Sequence, residues 1–170
     1  MWKLDKKELI QMKNITDEES KISNALANFL DKISYPLLDV GSWSWKISSN
    51  AFWDKEIIHL DTIEFFDEDF KIFKSHKRIV WDFFDFKSQY KIKTILFCHS
   101  LQYLDDEWIW KVNNEIEDIN PEYVLLVINK NDGILWELLN FFYKNKWSHN
   151  WEIHFSEFPW KKFSQIDKIW

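Results

Sequence analysis

Short apolar runs alternate with helical patterns along most of the chain. Five runs predict strands, at residues 37–41, 56–61, 78–81, 94–98 and 123–128. The run at 94–98 does not alternate with polar residues, which is typical of a strand buried on both faces. Strands that alternate with helices favour a parallel sheet covered by helices on both sides. The pattern therefore predicts an α/β fold with a three-layer, doubly wound and mostly parallel sheet.

Helical spacing fills the intervals between these strands. Residues 16–33 open with Thr16 and Glu19 in a capping-box pattern and carry one apolar face. Residues 46–55 predict a short helix, and an acid at 105 or 106 precedes a longer one. Two more helix faces are marked by Ile63, Phe66, Phe70 and Phe73, and by Ile134, Leu135, Leu138, Leu139 and Phe142. The alternation at 151–158 predicts a half-exposed strand, and residues 166–170 could add another.

One domain accounts for nearly the whole chain. Residues 1–15 are mixed and charged, so we predict an N-terminal arm there and a single domain over residues 16–170. No linker, repeat or low-complexity stretch divides that domain. Sequential right-handed crossovers would place the strand at 37–41 centrally, between the strands at 56–61 and 94–98.

Polar residues stand where the predicted strands end. Asp39 and Gly41 close the first strand, Asp61 closes the second, and Asp82 follows the third. Because the carboxyl ends of parallel strands meet at one edge of a sheet, we expect these residues to converge on one crevice, together with the loop at 98–100. Each acid also has a plainer explanation. Asp39 could cap its turn, Asp61 the following helix, and Asp82 could be a surface turn residue.

The order of elements and these acids resemble the class I S-adenosylmethionine-dependent methyltransferases over about residues 16–158. The resemblance implies the methyltransferase fold, with S-adenosylmethionine as cofactor. Asp39 and Gly41 match the acid and the first glycine of the family's first motif, and Asp61 stands where an acid binds the ribose hydroxyls. Asp82 and Phe83 match the pair that holds the adenine in this family.

The segment after the fourth strand resembles the part of these enzymes that faces the transferred methyl group. The resemblance implies that Cys98, at the start of this segment, contributes to the cofactor site. His99 is the candidate catalytic base, since it lies at the strand end near the expected methyl position; alternatively it only hydrogen-bonds the loop. Little acid–base chemistry is needed, because methyl transfer from a sulfonium is an in-line displacement that depends mostly on placement.

Two indoles stand where the family has its second and third glycines. Trp43 and Trp45 occupy these positions, and a tryptophan there takes space from the ligand. We therefore predict that an indole fills the pocket and that cofactor binding is weakened or lost. A second interpretation keeps the ligand and makes Trp43 a stacking wall. The chain is thus a methyltransferase by resemblance, and the alternative is a non-catalytic scaffold, a pseudo-methyltransferase that acts through a protein partner.

Charge and composition narrow the partners. The net charge is -6, whereas a general nucleic-acid binder would be basic, so nucleic acid is not the expected partner. One cysteine, no signal-peptide core and no membrane-spanning run lead us to expect a cytoplasmic protein without membrane association. The five histidines are scattered, which gives no support to a metal site. Some of the 12 tryptophans, at positions expected near the surface, suggest a homodimer or a partner protein: Trp2, Trp147, Trp160 and Trp170.

Overall fold

The structure is a computed structural model that describes residues 17–42, 45–64, 73–87, 89–98, 100–101, 106–129, 151–157 and 164–169, the last two ranges by their backbone alone. Three helices are described, in chain order: α1 (Asp17–Ala27), α2 (Trp45–Ala51) and α3 (Asp106–Ile119). The described strands are β1 (Leu37–Val40), β2 (Ile57–Asp61), β3 (His76–Val80), β4 (Thr94–Cys98), β5 (Tyr123–Asn129), β6 (Trp151–Glu157) and β7 (Ser164–Ile169).

The strands form one sheet in the order β3-β2-β1-β4-β5-β6-β7. The first five are parallel, while β6 and β7 continue the sheet as antiparallel neighbours. As predicted, β1 is central and pairs with β2 on one side and β4 on the other. The order reverses between β1 and β4, which makes the gap between them a topological switch point. Among the described strands, β3 and β7 are the two edges.

Alternation along the central strands supplies two apolar faces. Leu38 and Ile58 point to one face, where they pack with Val112 and Ile116 of α3. Leu37 and Ile57, which precede them in the same strands, belong to a second buried cluster on the other face, where α1 and α2 pack. The strands are buried on both sides because helices cover both, so they lack the polar alternation of a half-exposed strand. The predicted three-layer fold is confirmed.

The elements differ from the predictions mainly at their ends. Strand β3 begins at His76, two residues before the predicted start, and α2 ends at Ala51 in a turn. Glycine is scarce, and Asn120 takes over its role after α3, with a positive φ of 50° and an N–H that bonds the Ile116 carbonyl. The predicted helix around 134–142, Thr16 and the whole N-terminal arm lie outside the described residues, and of the predicted helix at 63–73 only residues 63, 64 and 73 are described. None of the described helices is long and apolar enough to cross a membrane.

Candidate functional site

A crevice of about 190 Å³ opens at the carboxyl end of the parallel strands. It lies across the switch point, with the ends of β2 and β3 on one side and the segment after β4 on the other. Open α/β sheets bind their ligands at this place. The lining residues are Val40, Gly41, Leu60, Asp61, Thr62, Trp81, Asp82, Phe83, Phe84, Phe97, Ser100, Leu101 and Val112.

Asp61 is the last residue of β2 and is half-buried at the crevice. Its Oδ1 accepts a hydrogen bond from the backbone N–H of Ile63 at 3.1 Å, and this bond fixes the turn that leaves the strand. The Asp61 carbonyl accepts from the N–H of Trp81 at 2.9 Å, which ties the ends of β2 and β3 together. The carboxylate is therefore held in place by the backbone of its own turn, and its second oxygen makes no hydrogen bond within the described part of the chain.

Asp82 stabilises the turn that follows β3, beside Asp61 in the lining of the crevice. It caps a 3₁₀ turn at Phe83–Asp85, and its Oδ1 accepts from the N–H of Phe84 at 2.9 Å. Phe83 is buried and meets Phe97 edge-on, with ring centroids 5.5 Å apart. The cap thus fixes one aromatic ring against the crevice floor and leaves the Asp82 carboxylate at its exposed rim.

Gly41 is required by packing within the protein. Its φ is +67°, in the left-handed region, and its N–H donates to the Leu60 carbonyl at 2.8 Å. A Cβ at this position would overlap the Cβ of Ser100 and lie 3.4 Å from its Oγ. The turn after β1 and the segment after β4 are therefore in direct contact. Ser100 Oγ is buried, with no hydrogen-bond partner in the described part of the chain.

Replacing Gly41 by alanine should lower the free energy of unfolding by about 2–5 kcal/mol. A left-handed backbone costs an alanine about 1–2 kcal/mol, and overpacking against Ser100 adds about 1–3 kcal/mol. Urea denaturation of the variant would measure the loss. Adding Ser100→Gly should recover the overpacking part and leave the backbone part. A single-variant loss under about 1 kcal/mol would show that the two segments are not in contact.

Asp39 and Cys98 lie on the opposite face of the sheet from the crevice. Both are buried, and neither lines the crevice. Successive side chains of a strand point to opposite faces of the sheet, and each of these two residues is next to a strand residue that points towards the crevice. Asp39 Oδ2 accepts from Ser48 Oγ at 2.5 Å and from His59 Nδ1 at 3.0 Å. Burial, followed by the charge of Asp39, raises the pKa of the Cys98 thiol well above its usual range. The structure therefore does not bring these two residues to the site, although the resemblance implied it.

The Asp39 contacts continue into a buried polar network under α2. Ser49 Oγ lies 3.3 Å from His59 Nε2 and 3.1 Å from His76 Nδ1, and the two ring nitrogens are 3.2 Å apart. All of these side chains are buried. Burial, helped by the neighbouring His59, lowers the pKa of His76 to about 3, although backbone hydrogen bonds to Phe52 and Trp53 oppose that shift. The network links α2 to three adjacent strands through polar contacts.

Some of the residues that line the crevice could be identified from the sequence, and others could not. Gly41, Asp61, Asp82 and Phe83 surround one crevice, while Trp43 and His99 lie outside the described residues. Trp45 begins α2 and meets Phe73 edge-on at 5.9 Å, so its indole does not line the crevice. No motif pointed to the network, although one signal was present. It consists of polar residues within otherwise apolar elements: Ser48, Ser49 and His59.

Metal binding finds no support in the part of the chain that the structure describes. Within it, no three His, Cys, Asp or Glu side chains come together in a way that could hold a metal ion. Asp39 Oδ2, His59 and His76 hydrogen-bond to one another and to α2, while Asp39 Oδ1 is buried with no hydrogen-bond partner among the described residues. It therefore acts as an internal hydrogen-bonding network.

Comparisons with known proteins support the fold. The sequence matches no protein-family model and no curated protein. Among solved structures, the chain is similar to a putative RNA methyltransferase from Pyrococcus horikoshii, with a TM-score of 0.56 and 14% identity over 95% of this chain and 94% of the other.

Two further solved structures extend this similarity. One is a Burkholderia thailandensis 1,6-didemethyltoxoflavin-N1-methyltransferase bound to 1,6-didemethyltoxoflavin and S-adenosylhomocysteine. Its TM-score is 0.56, and the two chains are 9% identical over 96% of this chain and 73% of the other. The other is an S-adenosylmethionine-dependent methyltransferase from Clostridium acetobutylicum, with a TM-score of 0.52 and 14% identity over 95% and 75% of the chains. The chain thus has the class I methyltransferase fold.

Proposed function

We propose that the crevice binds S-adenosylmethionine through its adenosine half, in a domain of the methyltransferase type. The observation that supports this most is the pair of carboxylates, Asp61 and Asp82, at the ends of adjacent strands on one apolar crevice. The position at the switch point suits a nucleoside ligand, and similar folds are methyltransferases, one of them solved with S-adenosylhomocysteine.

The chemistry of the crevice fits a ribose and a base. Asp61 uses one carboxylate oxygen for the Ile63 N–H, so its second oxygen can accept from a ribose hydroxyl. Asp82 is disposed in the same way beside the 3₁₀ turn, where it can accept from an amino group on a base. Leu60 and Phe83 offer apolar surface between the two acids, on which a flat ring can pack.

Bound S-adenosylmethionine would supply a methyl group on a sulfonium, and its transfer depends mainly on the placement of the two reactants. The described residues contribute to that placement from the adenosine side. Asp61 and Asp82 would fix the nucleoside, while the Gly41 turn and Ser100 bound the crevice beyond it. His99, the candidate base, belongs to the same proposal at the end of β4.

Three hypotheses from the sequence are decided by a binding measurement together with the oligomeric state. Weakened or lost binding caused by Trp43 predicts little affinity for S-adenosylmethionine, and the stacking-wall interpretation predicts firm affinity. The scaffold alternative predicts no affinity for any adenosine compound and a stable homodimer or partner complex. Titration of the unmodified chain with S-adenosylmethionine, S-adenosylhomocysteine and adenosine separates these outcomes, with the oligomeric state measured in parallel.

Replacing Asp61 by asparagine should weaken the binding of adenosine and of S-adenosylmethionine by about tenfold or more. The side-chain oxygen that accepts from Ile63 is kept, while a charge-assisted hydrogen bond worth about 1.5–3 kcal/mol is lost. Isothermal titration would measure the change. Asp54→Asn is the matched control, because Asp54 is exposed, lines no part of the crevice and forms an ion pair with Lys55 at 3.4 Å.

Two results would contradict the proposal. One is that neither adenosine nor S-adenosylmethionine binds the folded, unmodified chain. The other is that Asp61→Asn and Asp54→Asn leave the same affinity, which would place the ligand away from the end of β2.

A further inference from the structure

The crevice has two ends, separated by the turn at Gly41. The carboxylates of Asp61 and Asp82 stand at the ends of β2 and β3, and Ser100 and Leu101 stand beyond the end of β4. Strand β1 lies between these pairs, so Gly41 is in the middle. A ligand anchored by both acids must cross Gly41 to reach the β4 side. Any group attached beyond the ribose therefore meets this turn first.

The crossing is narrow at Ser100. The space beside the Gly41 Cα is occupied by the Ser100 side chain, whose Cβ lies 2.4 Å from the position that a Gly41 Cβ would take. Ser100 Oγ is buried and has no hydrogen-bond partner among the described residues, so the serine is held there by packing. The crevice, at about 190 Å³, is also smaller than the roughly 300–1,000 Å³ of most small-molecule sites.

We propose that Ser100 is a specificity-determining residue that limits the ligand to nucleoside size. This inference rests on the proposed adenosine site and adds to it the part of the ligand that is selected. The Ser100 Cβ narrows the crossing at Gly41, so the amino-acid arm of S-adenosylmethionine or S-adenosylhomocysteine gains no contact beyond the ribose. Adenosine itself fits on the near side, against Asp61 and Asp82.

Three substitutions at one position separate the contribution of the Cβ from that of the hydroxyl. Ser100→Gly removes both and opens the crossing. Ser100→Ala is the matched control, because it keeps the Cβ and removes only the hydroxyl. Ser100→Val keeps the Cβ and adds bulk. Titration with adenosine and with S-adenosylhomocysteine gives an affinity ratio for each protein, and a retained affinity for adenosine shows that the crevice is intact.

The unmodified chain and Ser100→Ala should bind S-adenosylhomocysteine no more tightly than adenosine. Ser100→Gly should shift the ratio toward S-adenosylhomocysteine by about tenfold or more, the discrimination that one methylene-sized group gives in a pocket. Ser100→Val should leave the ratio unchanged or move it further toward adenosine.

The inference is overturned if the unmodified chain already binds S-adenosylhomocysteine tenfold more tightly than adenosine. It is equally overturned if Ser100→Gly leaves the ratio unchanged, or if Ser100→Ala shifts it as far as Ser100→Gly does. In these cases adenosine still binds and the proposed function stands. If no variant and no ligand gives binding, the proposed function fails as well, which is a separate and recognisable outcome.

Discussion

Replacing Asp39 by alanine should lower the free energy of unfolding by about 3–5 kcal/mol, the cost of breaking a buried polar pair by removing one partner. The carboxylate accepts from Ser48 Oγ at 2.5 Å and from His59 Nδ1 at 3.0 Å. All three side chains are buried, so water cannot replace the lost acceptor. Two donors would be left unsatisfied, and each costs about 1–3 kcal/mol. Urea denaturation at neutral pH, with an unchanged m-value, would measure the effect.

Asp54→Ala is the control for a general effect of removing an acid. Asp54 is exposed and its ion pair with Lys55 lies at the surface, so its loss should cost no more than about 1 kcal/mol. Asp39→Ala combined with Ser48→Ala should cost less than the sum of the two single changes, because one unsatisfied donor disappears. Equal losses in Asp39→Ala and Asp54→Ala would show that the network contributes nothing.

Acidification should destabilise the protein through His76. Burial, followed by the neighbouring His59, lowers the pKa of His76 from 6.5 to about 3. In the unfolded chain His76 therefore becomes protonated below pH 6.5, whereas in the folded chain it stays neutral down to about pH 3. This contribution to stability is complete above the unfolded value and is lost as the pH falls through this window. Between neutral pH and pH 5 the loss from this one group should reach about 2 kcal/mol.

His76→Gln isolates that contribution from the carboxylates, which titrate in both proteins. Glutamine keeps a hydrogen-bonding side chain but takes up no proton, so its stability should fall less steeply with acid. The difference in slope between the two proteins should approach about 1.4 kcal/mol per pH unit below pH 6.5. Denaturation series at several pH values would measure it. Parallel slopes would exclude His76 as the responsible group.

The sheet could be predicted from the sequence because its strands carry continuous apolar runs. Strands β1, β2, β4 and β5 are buried on both faces, and the pattern of such a strand depends little on its neighbours. The start of strand β3 is harder to predict, because His76 and Lys77 are polar and have the character of loop residues. His76 is buried only because Ser49 and His59 offer hydrogen-bonding partners from elsewhere in the chain. Sequence patterns do not report such long-range partners.

The positions of the site residues along the chain could be predicted from the sequence, but the face of the sheet on which each side chain lies could not. Asp61 and Asp82 follow their strands directly, and residues at the ends of neighbouring parallel strands share one edge. Asp39 lies within β1, where one step along the strand moves a side chain to the other side of the sheet. Gly41 matches the first glycine of the family's motif, but the match does not say what requires a glycine there. The reason found in the structure is Ser100, which is 59 positions away along the chain.

The edge strand β3 bears on how this protein behaves at high concentration. An open strand edge offers unpaired N–H and C=O groups, which can template pairing between molecules and start aggregation. Strand β3 is one of the two edges of the described sheet, and Lys77 and Arg78 stand in the middle of it. Lys77 also pairs with Glu56 at 3.2 Å, so part of its charge is compensated within the protein. Charged side chains on an edge strand disfavour pairing with a second edge, and we expect this effect to weaken as salt screens the charges.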